Sequence, residues 1–125
     1  MIDKKISNEF QNNGVVLLKK IIDQKWIEDL RKGIEYNFQN PSEYKCVYEE
    51  LDDKEIFYDD YCNWQRIKEY KNFIFNSHIA KIAGSLMQSN KVNLFHEHVL
   101  IKEKGSKKKN TLASRSGVLL CTRER

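Results

Sequence analysis

Residues 91–102, which read KVNLFHEHVLIK, form the longest strand-like stretch of this sequence. Alternate residues of a β-strand point to opposite faces, so the stretch divides into two sets. One face carries His96, His98, Leu100 and Lys102, and the other carries Phe95, Glu97, Val99 and Ile101. A strand over residues 92–102 would therefore present two imidazoles and one ammonium on the same side of a sheet.

The stretch before this strand predicts a helix. Its apolar residues recur at helical spacing, and they are Ile79, Ile82, Ala83, Leu86 and Met87. Ser77 is placed to cap the start of the helix, and Ser89-Asn90 to end it.

The first part of the chain predicts two helices and a strand. Residues 6–11 favour a short helix that stops at Gly14, and the run VVLL at 15–18 favours a strand. Asp23 is a typical N-cap for a second helix, which the segment Asn40-Pro41-Ser42 would end. Residues 43–60 are irregular and acidic, with a short strand at 46–48.

Aromatic residues crowd the end of that acidic segment, so we expect part of it to pack. Cys62, which follows it, has no neighbouring base or second cysteine to activate it, and we expect a buried thiol. The other cysteines, Cys46 and Cys121, share no metal-type spacing with it, which indicates free thiols in the cytoplasm.

Composition indicates one domain without a membrane or nucleic-acid role. The 125 residues are 40% hydrophobic and 32% charged, and no apolar run approaches the length of a membrane span. The net charge is +4, but Lys107-Lys108-Lys109 lacks the aromatic neighbours of a phosphate-tracking groove. The sequence sets no oligomeric state.

Three stretches in order resemble the phytanoyl-CoA dioxygenase family. They are FQNNGVVLLKKIIDQKWIEDL at 10–30, FYDDYCNWQRI at 57–67, and the helix and strand that end in LFHEHVLIKEKG at 105. The last is the strongest, although Lys104 stands where the family usually has proline. The resemblance covers nearly all of residues 6–111, and it implies that residues 1–111 are the N-terminal part of a family domain.

The resemblance implies a double-stranded β-helix (a jelly roll, cupin-like) that is truncated here to an α+β fragment. This fragment would have an α-rich N-terminal half and the first strands only. Family members hydroxylate small-molecule substrates with Fe(II) and 2-oxoglutarate. We expect His96, His98 and Leu100 to line the substrate pocket. Lys102 and Val99 would contact 2-oxoglutarate, although a solvent lysine and core packing explain these two residues equally well.

In the family this strand leads to Thr-Pro-Trp-His-Gln-Asp, whose His and Asp bind iron. Here Thr111 is followed by LASRSG, so neither ligand is present. Residues 111–115 can be encoded by the codons ACA CTT GCA TCA AGA. Adding one C and one G changes this line to ACA CCT TGG CAT CAA GA. Continued to residue 125, the new frame reads TPWHQDQAYYFAPER. We therefore interpret 112–125 as an out-of-frame, poorly ordered tail.

Two further interpretations stay open. A small, complete, non-catalytic α+β binding module would use Val118-Leu119-Leu120-Cys121 as a buried strand. A compact cupin-like metal protein would use His96 and His98 as ligands. Under the family interpretation, this chain should be inactive, should bind neither iron nor 2-oxoglutarate tightly, and should be marginally stable.

Overall fold

A computed structural model describes residues 2–48 and 57–102, with the backbone alone at Tyr48, Phe57 and Lys102. In this part of the chain the elements are α1 (Lys4–Asn13), α2 (Gln24–Gln39), β1 (Cys46–Tyr48), β2 (Phe57–Tyr61), α3 (Lys68–Asn76), α4 (Ile79–Met87) and β3 (His98–Lys102). The strands form one antiparallel sheet in the order β1-β2-β3. No helix of the described ranges is both long and apolar enough to cross a membrane.

The C-terminal end of α1 and both ends of α2 confirm the boundaries predicted from the sequence. The Asp3 carboxylate accepts a hydrogen bond from the Lys5 amide at 2.9 Å, and Gly14 ends α1 in the left-handed region at φ 72°. Glycine adopts this conformation without the steric cost of a Cβ atom. Asp23 immediately precedes α2 and Asn40 immediately follows it, so both ends of α2 lie where the sequence predicts them.

Helices α2 and α3 pack closely because Gly33 lets the two backbones approach. A Cβ atom at Gly33 would lie 2.7 Å from Tyr70 Cε1 and 3.0 Å from the Glu69 Cβ. Trp26 of α2 meets Phe73 of α3 edge to face, with ring centroids 5.9 Å apart. Tyr70 and Phe73 are buried together with Ile67, which forms the centre of the small core.

Replacing Gly33 by alanine should therefore destabilise the chain. The Tyr70 ring has little room to retreat, since its hydroxyl donates to Asn37 Oδ1 at 3.3 Å. Overpacking of this kind costs about 1–3 kcal/mol, against about 1 kcal/mol that alanine gains over glycine inside a helix. We expect a lower urea midpoint for Gly33→Ala and an unchanged one for the exposed neighbour Arg31→Ala. A Gly33→Ala midpoint equal to the wild-type value would contradict this packing.

Several sequence predictions were wrong in detail. Residues 15–18 form no strand in the described structure, where Val15 and Leu17 are 69% and 76% exposed. β3 begins at His98 and not at residue 92, because its partner β2 ends opposite that residue. Cys62 is exposed and not buried, since the chain turns there with φ 61°.

The sheet of three strands and the four helices of the described residues carry no evidence of a jelly roll, which consists of two packed sheets. The double-stranded β-helix therefore stays a prediction. The proposed tail at 112–125 lies outside the described residues, as do Cys121, the lysine run at 107–109 and residues 49–56 of the acidic segment.

Candidate functional site

The two faces of the sheet have different surroundings. Tyr58 and Asp60 of β2 face the helices, where they meet Asn37 of α2. Asp59 lies between these two residues in the strand, and Tyr61 follows Asp60. Both point to the opposite face because the side chains of a strand alternate. Directly paired residues of an antiparallel sheet share a face, so Leu100 (opposite Asp59) and His98 (opposite Tyr61) join them there. The face away from the helices therefore carries most of the predicted site.

On this face five side chains form what we call the imidazole–tyrosine cluster: Tyr44, Asp59, Tyr61, His96 and His98. The Tyr61 ring stacks on Tyr44 at 4.9 Å between centroids. The same ring lies 5.8 Å from the ring of His96 and 5.5 Å from that of His98. The cluster thus combines two tyrosine rings with two imidazoles on one small surface.

A carboxylate orients one of these imidazoles. His98 Nε2 and Asp59 Oδ1 form a hydrogen bond, and the two side chains are only 12% and 14% exposed. Within the described residues, Nδ1 of the ring makes no hydrogen bond. The imidazole is therefore largely buried and held on one side by a carboxylate, and its second nitrogen forms no hydrogen bond to a described residue.

The predicted site residues divide into three groups. His96, His98 and Leu100 share the outer face, as the sequence predicts. Val99 pairs with Asp60 and lies on the helix-facing side, so Val99 and Lys102 cannot act from one face of the strand. Lys102 pairs with Phe57 at the end of β3, and its side chain lies outside the described part.

Sequence reasoning missed Asp59, Tyr61 and Tyr44. The signal for Asp59 and Tyr61 was present in the segment FYDDY at 57–61, where every second residue belongs to one face once it is recognised as a strand. Tyr44 lies before β1, and no sequence pattern pointed to it. Recognising the pairing of this strand with residues 98–102 would have brought Asp59 to His98.

The helix-facing side of the sheet contains a buried network that supports the site from behind. Asp60 and Asn37 are both 0% exposed. Asp60 accepts hydrogen bonds from Asn37 Nδ2 at 2.7 Å, the Ser42 amide at 3.0 Å, the Tyr58 hydroxyl at 3.1 Å and the Tyr61 amide at 2.9 Å. The Ser42 hydroxyl donates to the same carboxylate. Asp60 thereby joins α2, the segment before β1, and β2.

These contacts shift the acidity of the groups involved. Burial by itself would raise the pKa of Asp60, but the hydrogen bonds, above all those from Ser42, lower it to about 2. Burial raises the pKa of Tyr58, and the neighbouring Asp60 charge raises it further. Asp60 is therefore an ionised acceptor with neutral donors around it, which is the arrangement of a structural centre.

The cluster does not match a metal site. Among the described residues, no three histidine, cysteine, aspartate or glutamate side chains are grouped so that they could hold a metal ion. In particular, Asp59 is engaged by His98 and does not converge with both imidazoles on one point. The cupin-like interpretation therefore gains no support from this geometry.

Comparison of the chain with protein-family models, with curated proteins and with solved structures finds no match. The functional argument therefore depends on the residues and on the geometry just described.

Proposed function

We propose that this chain is the N-terminal part of an Fe(II)- and 2-oxoglutarate-dependent dioxygenase of the phytanoyl-CoA dioxygenase family, with residues 112–125 translated out of frame. One observation carries the proposal. A stretch similar to the family's strand, LFHEHVLIKEKG, is followed at Thr111 by a segment that a two-base correction turns into TPWHQD. The family's iron-binding motif emerges at the position where the resemblance requires it.

The arrangement of the sheet supports the proposal. In a jelly roll the inner face of a sheet lines a cavity, and side chains that contact a ligand point into it. Here α2 lies against one face, and polar and aromatic residues gather on the other. His98 and Leu100, which the resemblance assigns to the substrate pocket, lie on this second face, and the ring of His96 contacts Tyr61 there.

The exposed apolar residues are also those that further strands would cover. Val15 and Leu17 belong to a segment with strand character, and Phe95, just before β3, is 86% exposed. Strand pairing needs a partner, and apolar surface of this kind is stabilised when another layer packs on it. A continuation of the domain beyond the correct reading frame would provide that layer.

The described residues do not fit an iron site. A facial triad needs two histidines and one carboxylate that converge on one point, and no such group of three is present in the described ranges. In the proposed intact enzyme the ligands come from the corrected frame. As it stands, the chain is an inactive fragment that we place in the cytoplasm, in keeping with Cys46 and Cys62, which are both free.

The coding DNA tests this proposal directly. Sequencing through codons 105–130 should reveal doublets that have each lost one base, or a frame that continues downstream after those two bases are added. A single frame that reads through Arg125 into a natural stop, with no open frame beside it, would remove the enzyme interpretation.

The alternative, a complete non-catalytic α+β module, predicts a different result for the same chain. In that case residues 118–121 form a buried strand, and their amides should resist hydrogen exchange as strongly as those of β2. Under our proposal these amides exchange at the rate of an unfolded peptide.

A further inference from the structure

We propose that the imidazole–tyrosine cluster binds a small, flat, polar molecule through a hydroxyl or amine donor, and that Asp59 is the positioning residue for this contact. The inference rests on the proposed function in one respect, namely that the outer face of the sheet is the side that binds substrate. It goes further by naming the chemical class of the molecule and the nitrogen that recognises it.

The hydrogen bond between Asp59 and His98 decides which nitrogen is available. A carboxylate is an acceptor only, so the proton of that bond belongs to His98 Nε2. In a neutral imidazole the other nitrogen, Nδ1, is then an acceptor. Nδ1 has no partner within the described residues, and it can accept a hydrogen bond from a hydroxyl or an amine of a ligand.

The rings around His98 favour a flat molecule. Tyr61 meets His98 edge to face, and the imidazole of His96 lies 6.1 Å from that of His98. Phe95 extends this surface, with its ring 4.6 Å from His96. Planar groups pack favourably against such rings through offset and edge contacts.

The same surface is unsuited to a long acyl chain. Leu100 is the one aliphatic side chain among the predicted pocket residues, and it is already 91% buried, with 9% of its surface exposed. An acyl chain laid across the cluster would cover Asp59 and the imidazoles without offering them a hydrogen bond. Polar groups that lose water in this way without gaining a hydrogen bond oppose binding.

The experiment uses the 125-residue chain with ¹⁵N-labelled histidine and ¹³C-labelled tyrosine, at about pH 8, where an ordinary imidazole is neutral. Three probes are titrated and followed by NMR: benzyl alcohol, toluene and hexanoate. We expect benzyl alcohol to shift the ring resonances of His98 and Tyr61. Toluene, which lacks the hydroxyl, should bind about fivefold more weakly, the equivalent of one hydrogen bond, and hexanoate should leave these resonances in place.

Substitution of Asp59 tests its positioning role. Asp59→Ala should weaken benzyl alcohol binding about fivefold and should speed the exchange of the His98 Nε2 proton, while toluene binding stays unchanged. A merely structural role would weaken both probes alike. Asp29→Ala, the same change at a partly buried aspartate of α2 that pairs with Lys32, is the matched control and should alter neither. If Asp59→Ala loses its dispersed spectrum, Asp59→Leu, which has a similar size and no acceptor, takes its place with the same expected result.

Equal binding of toluene and benzyl alcohol would overturn the proposal, as would hexanoate shifts at the same two rings or an absence of any benzyl alcohol effect. These outcomes are separable from the fate of the enzyme assignment. If the DNA shows no open downstream frame, the enzyme assignment is wrong but the binding site can still be correct. If benzyl alcohol does not bind, the binding site is wrong but the enzyme assignment can still be correct.

Discussion

The corrected gene of our proposal, with one C and one G added after codon 111 so that it reads TPWHQD, should yield a chain that binds iron and turns over 2-oxoglutarate. The restored motif supplies a histidine and an aspartate, which the described part of the chain does not offer as a convergent set. Protein from the corrected gene should contain about one iron per chain when purified with Fe(II) and should form succinate from 2-oxoglutarate. The 125-residue chain should do neither under the same conditions.

The control is the corrected gene with the histidine of the restored motif replaced by alanine. That variant should fold like its parent, as judged by circular dichroism, and should lose bound iron and succinate formation together. A corrected protein that folds cooperatively but holds no iron would count against the assignment, as would iron-dependent turnover by the 125-residue chain itself.

Asp60→Ala should unfold the chain. The substitution removes the acceptor of the Ser42 amide and hydroxyl and of the Asn37 amide, all of which then lack their partner in a buried place. Leaving a buried donor without its acceptor costs about 1–3 kcal/mol for each group, so the loss of several together is comparable with the whole stability of a domain of this size. We expect the near-ultraviolet circular dichroism of the tyrosines and tryptophans to collapse at neutral pH without denaturant. Asp29→Ala should keep this signal, and an Asp60→Ala chain that keeps it too would contradict the role of the network.

The network should also make the fold sensitive to acid. The folded-state pKa of Asp60 is about 2, below the ordinary value of 3.8. A lowered carboxyl pKa contributes stability that is present above about pH 4 and is lost as the pH falls toward about 2. Asp60→Asn removes the titrating group, so this variant should show a shallower loss of stability over the same window, measured as urea midpoints at each pH.

Local signals predicted the stop of α1 at Gly14, both ends of α2 at Asp23 and Asn40, and α4 from its apolar spacing. The start of α1 was missed, since the helix begins at Lys4 and not at residue 6, where the Asp3 carboxylate caps it. These elements can be predicted from the sequence because each depends on hydrogen bonds and contacts within a few residues of itself.

The elements that depend on distant partners were not predictable in this way. β2 contains Asp59 and Asp60, which in sequence resemble a solvated acidic loop. Only the distant donors at Asn37 and Ser42 explain why a carboxylate is stable inside the fold. Conversely, residues 15–18 have strand character, but a strand forms only where another strand supplies its hydrogen bonds.

The same dependence on partners divides the site predictions. Strand alternation correctly placed His98 and Leu100 on one face, because alternation is a local property of a strand. His96 precedes β3, and its ring contacts with Tyr61 and His98 bring it to the same side. The carboxylate that orients His98 comes from 39 residues earlier in the sequence, and its register with β3 is visible only in the folded sheet. Val99 was assigned to the cosubstrate on the basis of resemblance, and the register places it behind the strand.

All the partners of Asp60, together with Tyr70, lie between residues 37 and 70. A nascent chain could therefore close this unit of α2, β1 and β2 before the histidine-bearing strand leaves the ribosome. β3 would then add to an edge that already exists, which would spare it the entropy of searching for a partner in an unfolded chain. In such an order, a change downstream of codon 111 would leave the closure of this unit intact.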